Sequence, residues 1–433
     1  MSVSKLPCFY SLHGINYKNG YVTSCPTQVD QLHMLDGSMP SEFINNEEFK
    51  DHRLKLWNGE WPSGCHQCEE EETFGNKSMR MDCTEKYDES FFNPETGEID
   101  PKSIQHFEIR FNNSCNMSCL HCDSVFSSGW ETALKKYVPD EQTQYLNLQQ
   151  LTKQRHTGKL DNQTLPRIDI KIDEVDRIAE NLIKNFPNLA EFDVSGGEPL
   201  MQKQFFHLLD RMKEHSNAKS MQAMFYTNFN ADFDPIDLAE KLSHFKESTI
   251  HISVDSGKNL YPYFRDGSWS TLKHNIKIFK ECERVNTLVS GICTTSIYQL
   301  MDLCNVFEDM LTLDVDIIEC AMVYTPEYIN PGILMEHFSD EVRKDIDDTR
   351  KMIENSNSKL KESALKSLAH VEEYMTNHVV EVYNTTKKDA ELNSTERFIK
   401  YVEQSDKLFD KDFNSTFKKY QINNNNLIRI DKE

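Results

Sequence analysis

The sequence predicts an α/β fold with a parallel sheet or a partial barrel, preceded by a small cysteine-rich unit and followed by a helical extension. Two observations predict it. Six short apolar runs alternate with longer helical stretches between about residues 104 and 330, the order typical of a parallel sheet. Eight of the twelve cysteines lie within the first 122 residues. In such folds the catalytic and ligand-binding residues lie at the carboxyl ends of the strands.

The elements of the barrel region follow from the period of the apolar residues. The predicted strands are 107–111, 191–194, 223–227, 249–254, 287–293 and 315–318. The predicted helices are 175–185, 203–216, 236–244, 269–283 and 296–311. The polar, Gln-rich stretch 138–171 interrupts this alternation and is interpreted as an insertion or lid.

The flanking regions differ from the barrel region in composition. Residues 1–100 are rich in Gly and Pro and contain little apolar sequence, so a metal site is expected to replace part of the core. A hairpin is predicted there from 9–12 and 21–23, turning at Asn19-Gly20, and a helix over 42–57. Residues 331–433 are charged and helix-prone, with a disordered tail expected from 423 onward.

The composition disfavours proteins that bind nucleic acids nonspecifically and proteins that span or bind membranes. The net charge of −22 opposes nonspecific binding to nucleic acid or to anionic membranes. The sequence has no apolar run of about 18 residues and no signal peptide, so a cytoplasmic protein without a membrane partner is expected. Because the cytosol keeps thiols reduced, the cysteines are expected to bind metal rather than to form disulfides.

Three cysteines follow the first predicted strand closely, at Cys115, Cys119 and Cys122. A tight loop with three thiolates suits three corners of a cubane iron–sulfur cluster and leaves the fourth iron open. A zinc loop or buried structural cysteines remain the alternative. The next strand ends in Gly196-Gly197-Glu198-Pro199, where two glycines permit close backbone approach and Glu198 offers a carboxylate to an ammonium group.

Together these two motifs resemble the radical S-adenosylmethionine (SAM) superfamily over residues 104–330. The resemblance implies a partial (β/α)6 TIM-like barrel and a [4Fe–4S] cluster on the three cysteines. It further implies that SAM binds the open iron, that Gly196, Gly197 and Glu198 line its amine, and that reductive cleavage yields a 5′-deoxyadenosyl radical. A flavodoxin- or ferredoxin-type protein is then the electron donor. His121 departs from the pattern, because this position is usually aromatic in the family.

Polar residues at the ends of the later strands extend the predicted SAM site. Hydroxyl, amide and carboxylate groups there can bond the ribose or the methionyl carboxylate. With His121 and Ile292 as candidate adenine contacts, the predicted SAM-binding residues beyond the glycine motif are His121, Thr227, Asn228, Ser253, Asp255 and Ile292. Polar residues end strands in many α/β folds, so a structural role is the alternative for each.

A second metal site is predicted from Cys8, Cys25, Cys65 and Cys68. On ligand chemistry alone, zinc and iron–sulfur are both open. The Cys-x11-Gly-x4-Cys opening resembles the twitch or SPASM extensions of radical SAM enzymes, which implies one auxiliary [4Fe–4S] cluster. Such extensions usually follow the barrel, whereas this one precedes it, and Cys83 is left over.

The predicted domains are therefore 1–100, an auxiliary cluster unit; 101–330, the radical SAM barrel; and 331–433, the helical extension and tail. The resemblance implies an enzyme that modifies a peptide or protein side chain. A small molecule or nucleotide is the alternative substrate, and tRNA is disfavoured by the charge. A zinc-stabilised binding protein is the alternative from a different class.

Overall fold

The computed structural model describes residues 5–18, 21–26, 33–34, 37–73, 77–124, 126–136, 169–282, 286–323, 327–377 and 394–430. Within these residues a sheet of nine strands forms the centre of the fold. Its strands are β1 (Gly14–Lys18), β2 (Tyr21–Thr23), β3 (His33–Met34), β4 (His106–Ile109), β5 (Glu191–Val194), β6 (Gln222–Thr227), β7 (Glu247–Ser253), β8 (Thr287–Thr295) and β9 (Ile317–Met322). Their order across the sheet is β3-β2-β1-β4-β5-β6-β7-β8-β9.

Most of the sheet is parallel. Strands β4 to β9 pair in parallel in sequence order, and β1 joins them as a further parallel strand beside β4. Strands β2 and β3 complete the β1 edge in antiparallel pairing. This mostly parallel sheet, as expected for a partial TIM-like barrel, confirms the predicted α/β fold. Each of the six predicted barrel strands is present within a few residues of its predicted bounds.

Helices follow the barrel strands, as the sequence predicts. The barrel helices are Ser128–Lys136, Ile172–Asn185, Lys203–Met212, Pro235–Leu242, Tyr261–Arg265, Trp269–Glu281, Ile297–Met301 and Leu303–Met310. The last two occupy the single predicted helix 296–311, which is interrupted at Asp302 by a non-helical backbone (φ −134°). The amino-terminal helices are Phe9–His13, Pro40–Phe43, Glu47–Trp57, His66–Thr73 and Met79–Asp82, and the carboxy-terminal ones Gly332–Glu354, Lys361–Asn377, Ser394–Phe409 and Phe413–Thr416.

The two faces of the sheet differ in chemistry because side chains alternate along each strand. Phe107 and Ile109 on β4, and Phe192 and Val194 on β5, are buried in the hydrophobic core. The opposite, polar face carries His106 and Glu108 on β4, Glu191 and Asp193 on β5, Tyr226 on β6, His251 on β7 and Glu319 on β9. A polar interior suits a polar ligand better than a barrel filled with apolar side chains.

The amino-terminal hairpin is displaced from its predicted position. Residues Phe9–His13 form a short helix, and the first hairpin strand is β1, which pairs with β2. The apolar residues Phe9 and Leu12 are three apart, which matches a helical turn rather than strand alternation. Because β1 also pairs with β4, the sheet continues across the boundary predicted at residue 100. That boundary stays a prediction.

The carboxy-terminal tail was expected to be disordered, and this expectation is wrong for its described part. Strands β10 (Tyr420–Asn423) and β11 (Asn426–Arg429) form an antiparallel hairpin. Asn424 and Asn425 both have positive φ, 49° and 59°, the backbone that a type I′ turn requires and Asn tolerates. Tyr420 is fully buried, so the hairpin is part of the core. The predicted insertion 138–171 lies outside the described residues except for its last three.

The helical extension covers the loop that carries Cys119. Tyr401 donates a hydrogen bond from its hydroxyl to the Leu120 carbonyl, and the Phe409 ring packs edge-on against Trp130 at 4.8 Å. Trp130 in turn donates from Nε1 to the Cys119 carbonyl at 2.8 Å. Among the described residues, no helix is both long and apolar enough to cross a membrane.

Tyr401→Phe tests this contact. The change removes one hydroxyl and leaves the Leu120 carbonyl without that donor, so we expect a loss of about 1–3 kcal/mol in the free energy of unfolding. Anaerobic urea denaturation of the two proteins measures it. Tyr226→Phe, which alters a 41% exposed tyrosine on the polar face, serves as the control. An equal effect of both changes would contradict the assigned contact.

Candidate active site

The loop of Cys115, Cys119 and Cys122 begins six residues after the end of β4 and contacts the glycine motif that follows β5. The Glu198 backbone N–H donates to the Ser114 carbonyl at 2.7 Å, and the Gly197 N–H donates to the Phe126 carbonyl at 3.1 Å. These two motifs, with 73 residues between Cys122 and Gly196, therefore form one structural unit at the carboxyl edge of the sheet.

Both glycines of the motif have backbones that favour glycine, with φ of 76° at Gly196 and 62° at Gly197. A Cβ on Gly197 would lie 2.7 Å from the Ser114 carbonyl oxygen and 2.9 Å from that of Asn112. The sequence suggests that a ligand approaches here. In the structure a Cβ on Gly197 would also lie 2.4 Å from the Gln202 side chain, so this glycine has a packing reason independent of any ligand.

Burial makes the three thiols poor acids as long as no cation compensates their charge. Burial, together with the smaller effect of the nearby Cys119, raises the pKa of Cys115 to about 12. Burial also raises the pKa of Cys122 well above its usual value, and Asp123, Cys119 and Cys115 add to this effect. Since metal ligands must be thiolates, three thiols that repel one another's charge fit a cationic cluster.

Glu198 is fully buried and connects the glycine motif to the end of β6. Its carboxylate accepts hydrogen bonds from Thr227 Oγ1 and the Asn228 N–H, both at 2.6 Å, and from the Leu200 N–H at 3.0 Å. Burial raises the pKa of Glu198, while these three donors lower it. Most of its acceptor capacity is thus used within the protein.

Asn228 connects the β6 end to the cysteine loop. Its side-chain amide donates to Asn116 Oδ1 at 2.7 Å and lies 3.8 Å from Cys115 Sγ. Two other predicted SAM contacts, Ser253 and Ile292, are cross-strand partners on β7 and β8. Both are partly buried, so their side chains line the same edge without being enclosed.

A buried charge network lies next to the cysteine loop and includes a residue that sequence reasoning missed. Arg265 donates to Asp255 Oδ2, and both side chains are at most 5% exposed. The Thr294 N–H donates to Asp255 Oδ1 at 2.6 Å. Burial lowers the pKa of Arg265, but the opposing charges of Cys119 and Asp255 outweigh it and raise the pKa overall. The sequence contains one signal for Arg265: it is the single charged residue in the otherwise aromatic and apolar segment Tyr261–Arg265.

His121 lies between this network and an aromatic ring. Its Nε2 is 3.6 Å from Asp255 Oδ2, and its ring stacks on Phe264 with centroids 5.1 Å apart and planes inclined by 15°. The histidine is therefore placed as a flat, stacked group, the geometry that an aromatic residue would also adopt at this position.

The four amino-terminal cysteines lie near one another, although they come from three separate segments. After burial, which has the largest effect, the charges of Cys25 and Cys68 raise the pKa of Cys8, to about 12. Burial, with Cys25, Cys8 and Cys68, likewise raises that of Cys65. Cys8 and Cys68 are each 8% exposed. The structure thus brings together the four thiols of the predicted auxiliary site.

The fifth cysteine of this region, Cys83, is linked to the other thiols through Tyr10, which interacts with both Cys83 and Cys25. The Cys83 side chain interacts with Tyr10, whose pKa is raised by burial first and then by Cys83. The Tyr10 ring contacts His106 edge-on at 5.2 Å. Tyr10 therefore lies between the amino-terminal thiols and the polar face of the sheet.

Comparison with known families decides the identity of the barrel region. The family model described as the radical SAM superfamily matches residues 109–297. The domain formed by these residues belongs to the radical SAM superfamily. The match includes Cys115, Cys119 and Cys122 and the motif at 196–199, and it confirms the resemblance drawn from them.

Solved structures of two other proteins are similar to this chain at low identity. The structure of anSMEcpe with bound AdoMet is 15% identical over 50% of this chain and 51% of that one, with a TM-score of 0.35. Streptococcus suis SuiB bound to its precursor peptide SuiA is 12% identical over 68% and 54%, with a TM-score of 0.36. The chain thus spans about half the length of these structures. No curated protein matches the chain.

Proposed function

We propose that this chain cleaves SAM reductively and uses the resulting radical to modify a substrate, with a peptide or protein side chain as the favoured class. When bound on Cys115, Cys119 and Cys122, a [4Fe–4S] cluster supplies the electron that splits SAM into methionine and a 5′-deoxyadenosyl radical. The observation that carries the proposal is the direct docking of the glycine motif on the cysteine loop, through Glu198 N–H and Ser114.

Different residues around the cysteine loop are proposed to bind different parts of SAM. We assign the methionyl amine to the backbone around Gly196 and Gly197, with Glu198 acting mainly by holding Thr227 and Asn228 in place. We assign the binding of the ribose and the methionyl carboxylate to four residues: Thr227, Asn228, Ser253 and Asp255. We assign adenine to His121 and Ile292. Removal of water from this edge protects a reactive radical, and the extension packed over the loop through Tyr401 serves that purpose.

We assign a second [4Fe–4S] cluster to Cys8, Cys25, Cys65 and Cys68, supported by their mutual proximity and by the resemblance of their sequence pattern to twitch or SPASM extensions. A low-potential flavodoxin- or ferredoxin-type protein supplies electrons. We place the reaction in the cytoplasm, where thiols stay reduced and available to clusters.

The double variant Cys65→Ala/Cys68→Ala tests the second cluster. Two of four ligands are lost, so iron is expected to fall from about eight to about four atoms per chain, while the SAM-binding cluster persists. Iron and sulfide analysis after anaerobic reconstitution measures the change. Cys282→Ala, outside both thiol sets, is the control. Unchanged iron would refute the assignment, and colourless protein with stoichiometric zinc would support the binding-protein alternative instead.

The substrate class rests on the resemblance of the cysteine pattern at residues 8–68 to twitch or SPASM extensions, which are frequent in peptide-modifying members. Incubation with SAM, reductant and candidate peptides, read out by mass spectrometry, tests it. A mass change in a peptide that depends on Cys115 would support the proposal. Turnover of a sugar or nucleotide, with none of any peptide, would favour the small-molecule alternative.

A further inference from the structure

Three side chains on the polar face of the sheet form a compact group outside the proposed SAM and auxiliary sites. His106 opens β4, Glu191 opens β5, and the two are direct cross-strand partners. Asp193 follows two residues later on the same face. His106 Nε2 lies 3.2 Å from Asp193 Oδ2 and 3.8 Å from Glu191 Oε1, and the three ligand atoms all lie within 4.8 Å of one another.

The group contains more negative charge than its surroundings neutralise. The side chains of His106, Glu191 and Asp193 are only 2%, 18% and 12% exposed. The neighbouring Glu108 already engages the cation of Arg110. Lys86 approaches Glu191 at 3.8 Å, but it is 62% exposed and therefore well screened. Even when the imidazole of His106 carries a proton, one of the two carboxylates remains without a buried cation.

A carboxylate oxygen of Asp193 without a hydrogen-bond partner also favours a cation at this group. Asp193 is 8% exposed, and its Oδ1 is buried with no hydrogen-bond partner. A buried acceptor in this state costs about 1–3 kcal/mol, and a native structure usually supplies a water or an ion to such a group. A cation shared by both oxygens of Asp193 would satisfy the orphaned atom and balance the charge.

We propose that His106, Glu191 and Asp193 bind a divalent transition-metal ion within the barrel. One imidazole and two carboxylates suit Mn²⁺, Fe²⁺ or Zn²⁺, whereas Mg²⁺ and Ca²⁺ prefer oxygen ligands alone. Three ligands from two adjacent strands leave coordination positions open toward the interior. Those positions can take water or an oxygen of a substrate, as open metal sites do. This site does not depend on the proposed SAM chemistry.

Mn²⁺ is the probe for this site. The full chain, with its iron–sulfur clusters reconstituted, is titrated with MnCl₂ and the free ion is counted by its six-line EPR signal. We expect the unmodified chain to bind one Mn²⁺ tightly. In Asp193→Asn and Glu191→Gln we expect the dissociation constant to rise at least tenfold, since changes around metal sites typically lower metal affinity by about 10–100-fold. Weak binding by surface carboxylates should be the same in every variant.

The matched control is Glu319→Gln, which removes a carboxylate from the same face of the sheet on β9. It should leave the tight phase unchanged. Absence of a tight phase in the unmodified chain, or equal binding by Asp193→Asn and Glu191→Gln, overturns the proposal and leaves His106 and Asp193 as a hydrogen-bonded pair. If Asp193→Asn fails to fold, as judged by circular dichroism, the more exposed Glu191→Gln decides the question.

Discussion

Replacement of Cys115, Cys119 and Cys122 together by Ala should abolish the formation of 5′-deoxyadenosine from SAM under reducing conditions. The three thiols are the proposed ligands of the reactive cluster, and because burial raises the pKa of each, a cationic cluster would favour their ionised form. No other cysteine belongs to this loop. Chromatography of the SAM cleavage products measures the effect directly.

The iron content of the same variant separates loss of the cluster from general misfolding. We expect about four of eight iron atoms to remain, because one cubane is lost and the other stays. Cys304→Ala, on the helix Leu303–Met310, should retain both iron and activity. Continued 5′-deoxyadenosine production by the triple variant would disprove the site, and loss of all iron would show that the two clusters do not assemble independently.

Replacement of Arg265 by Met should have the largest effect on stability. It leaves Asp255, which is fully buried, without its cation, and breaking a buried pair from one side costs about 3–5 kcal/mol. Because Asp255 also accepts from the Thr294 N–H, its displacement would disturb the end of β8. Anaerobic urea denaturation gives the free energy of unfolding.

Two further variants isolate the buried charge as the cause. Arg177→Met removes a cation that is 52% exposed and lies 3.7 Å from Glu174, so its effect should stay within about 0.5 kcal/mol. The double variant Asp255→Asn/Arg265→Met should recover part of the lost stability, because it leaves no unpaired charge. If Arg265→Met costs no more than Arg177→Met, the pair contributes nothing to stability.

The elements of the barrel were predictable because their apolar residues repeat with clear periods. Strand β5 and the helix beginning at Lys203 start where the sequence places them. The predictions are wrong where a short segment has two interpretations. The Asn-rich end was interpreted as disorder, yet Asn424 and Asn425 form a turn, and Phe9–Leu12 were assigned to a strand although they are helical.

The sequence by itself determined the proposed ligand sets, since the spacing of Cys115, Cys119 and Cys122 and the glycine motif are local patterns. Only the tertiary structure decided what surrounds them. Arg265 reaches Asp255 through the return of a helix after β7, and His106 meets Asp193 because β4 and β5 pair in one register. Such contacts join residues from 10 to 87 positions apart, and no local period encodes them.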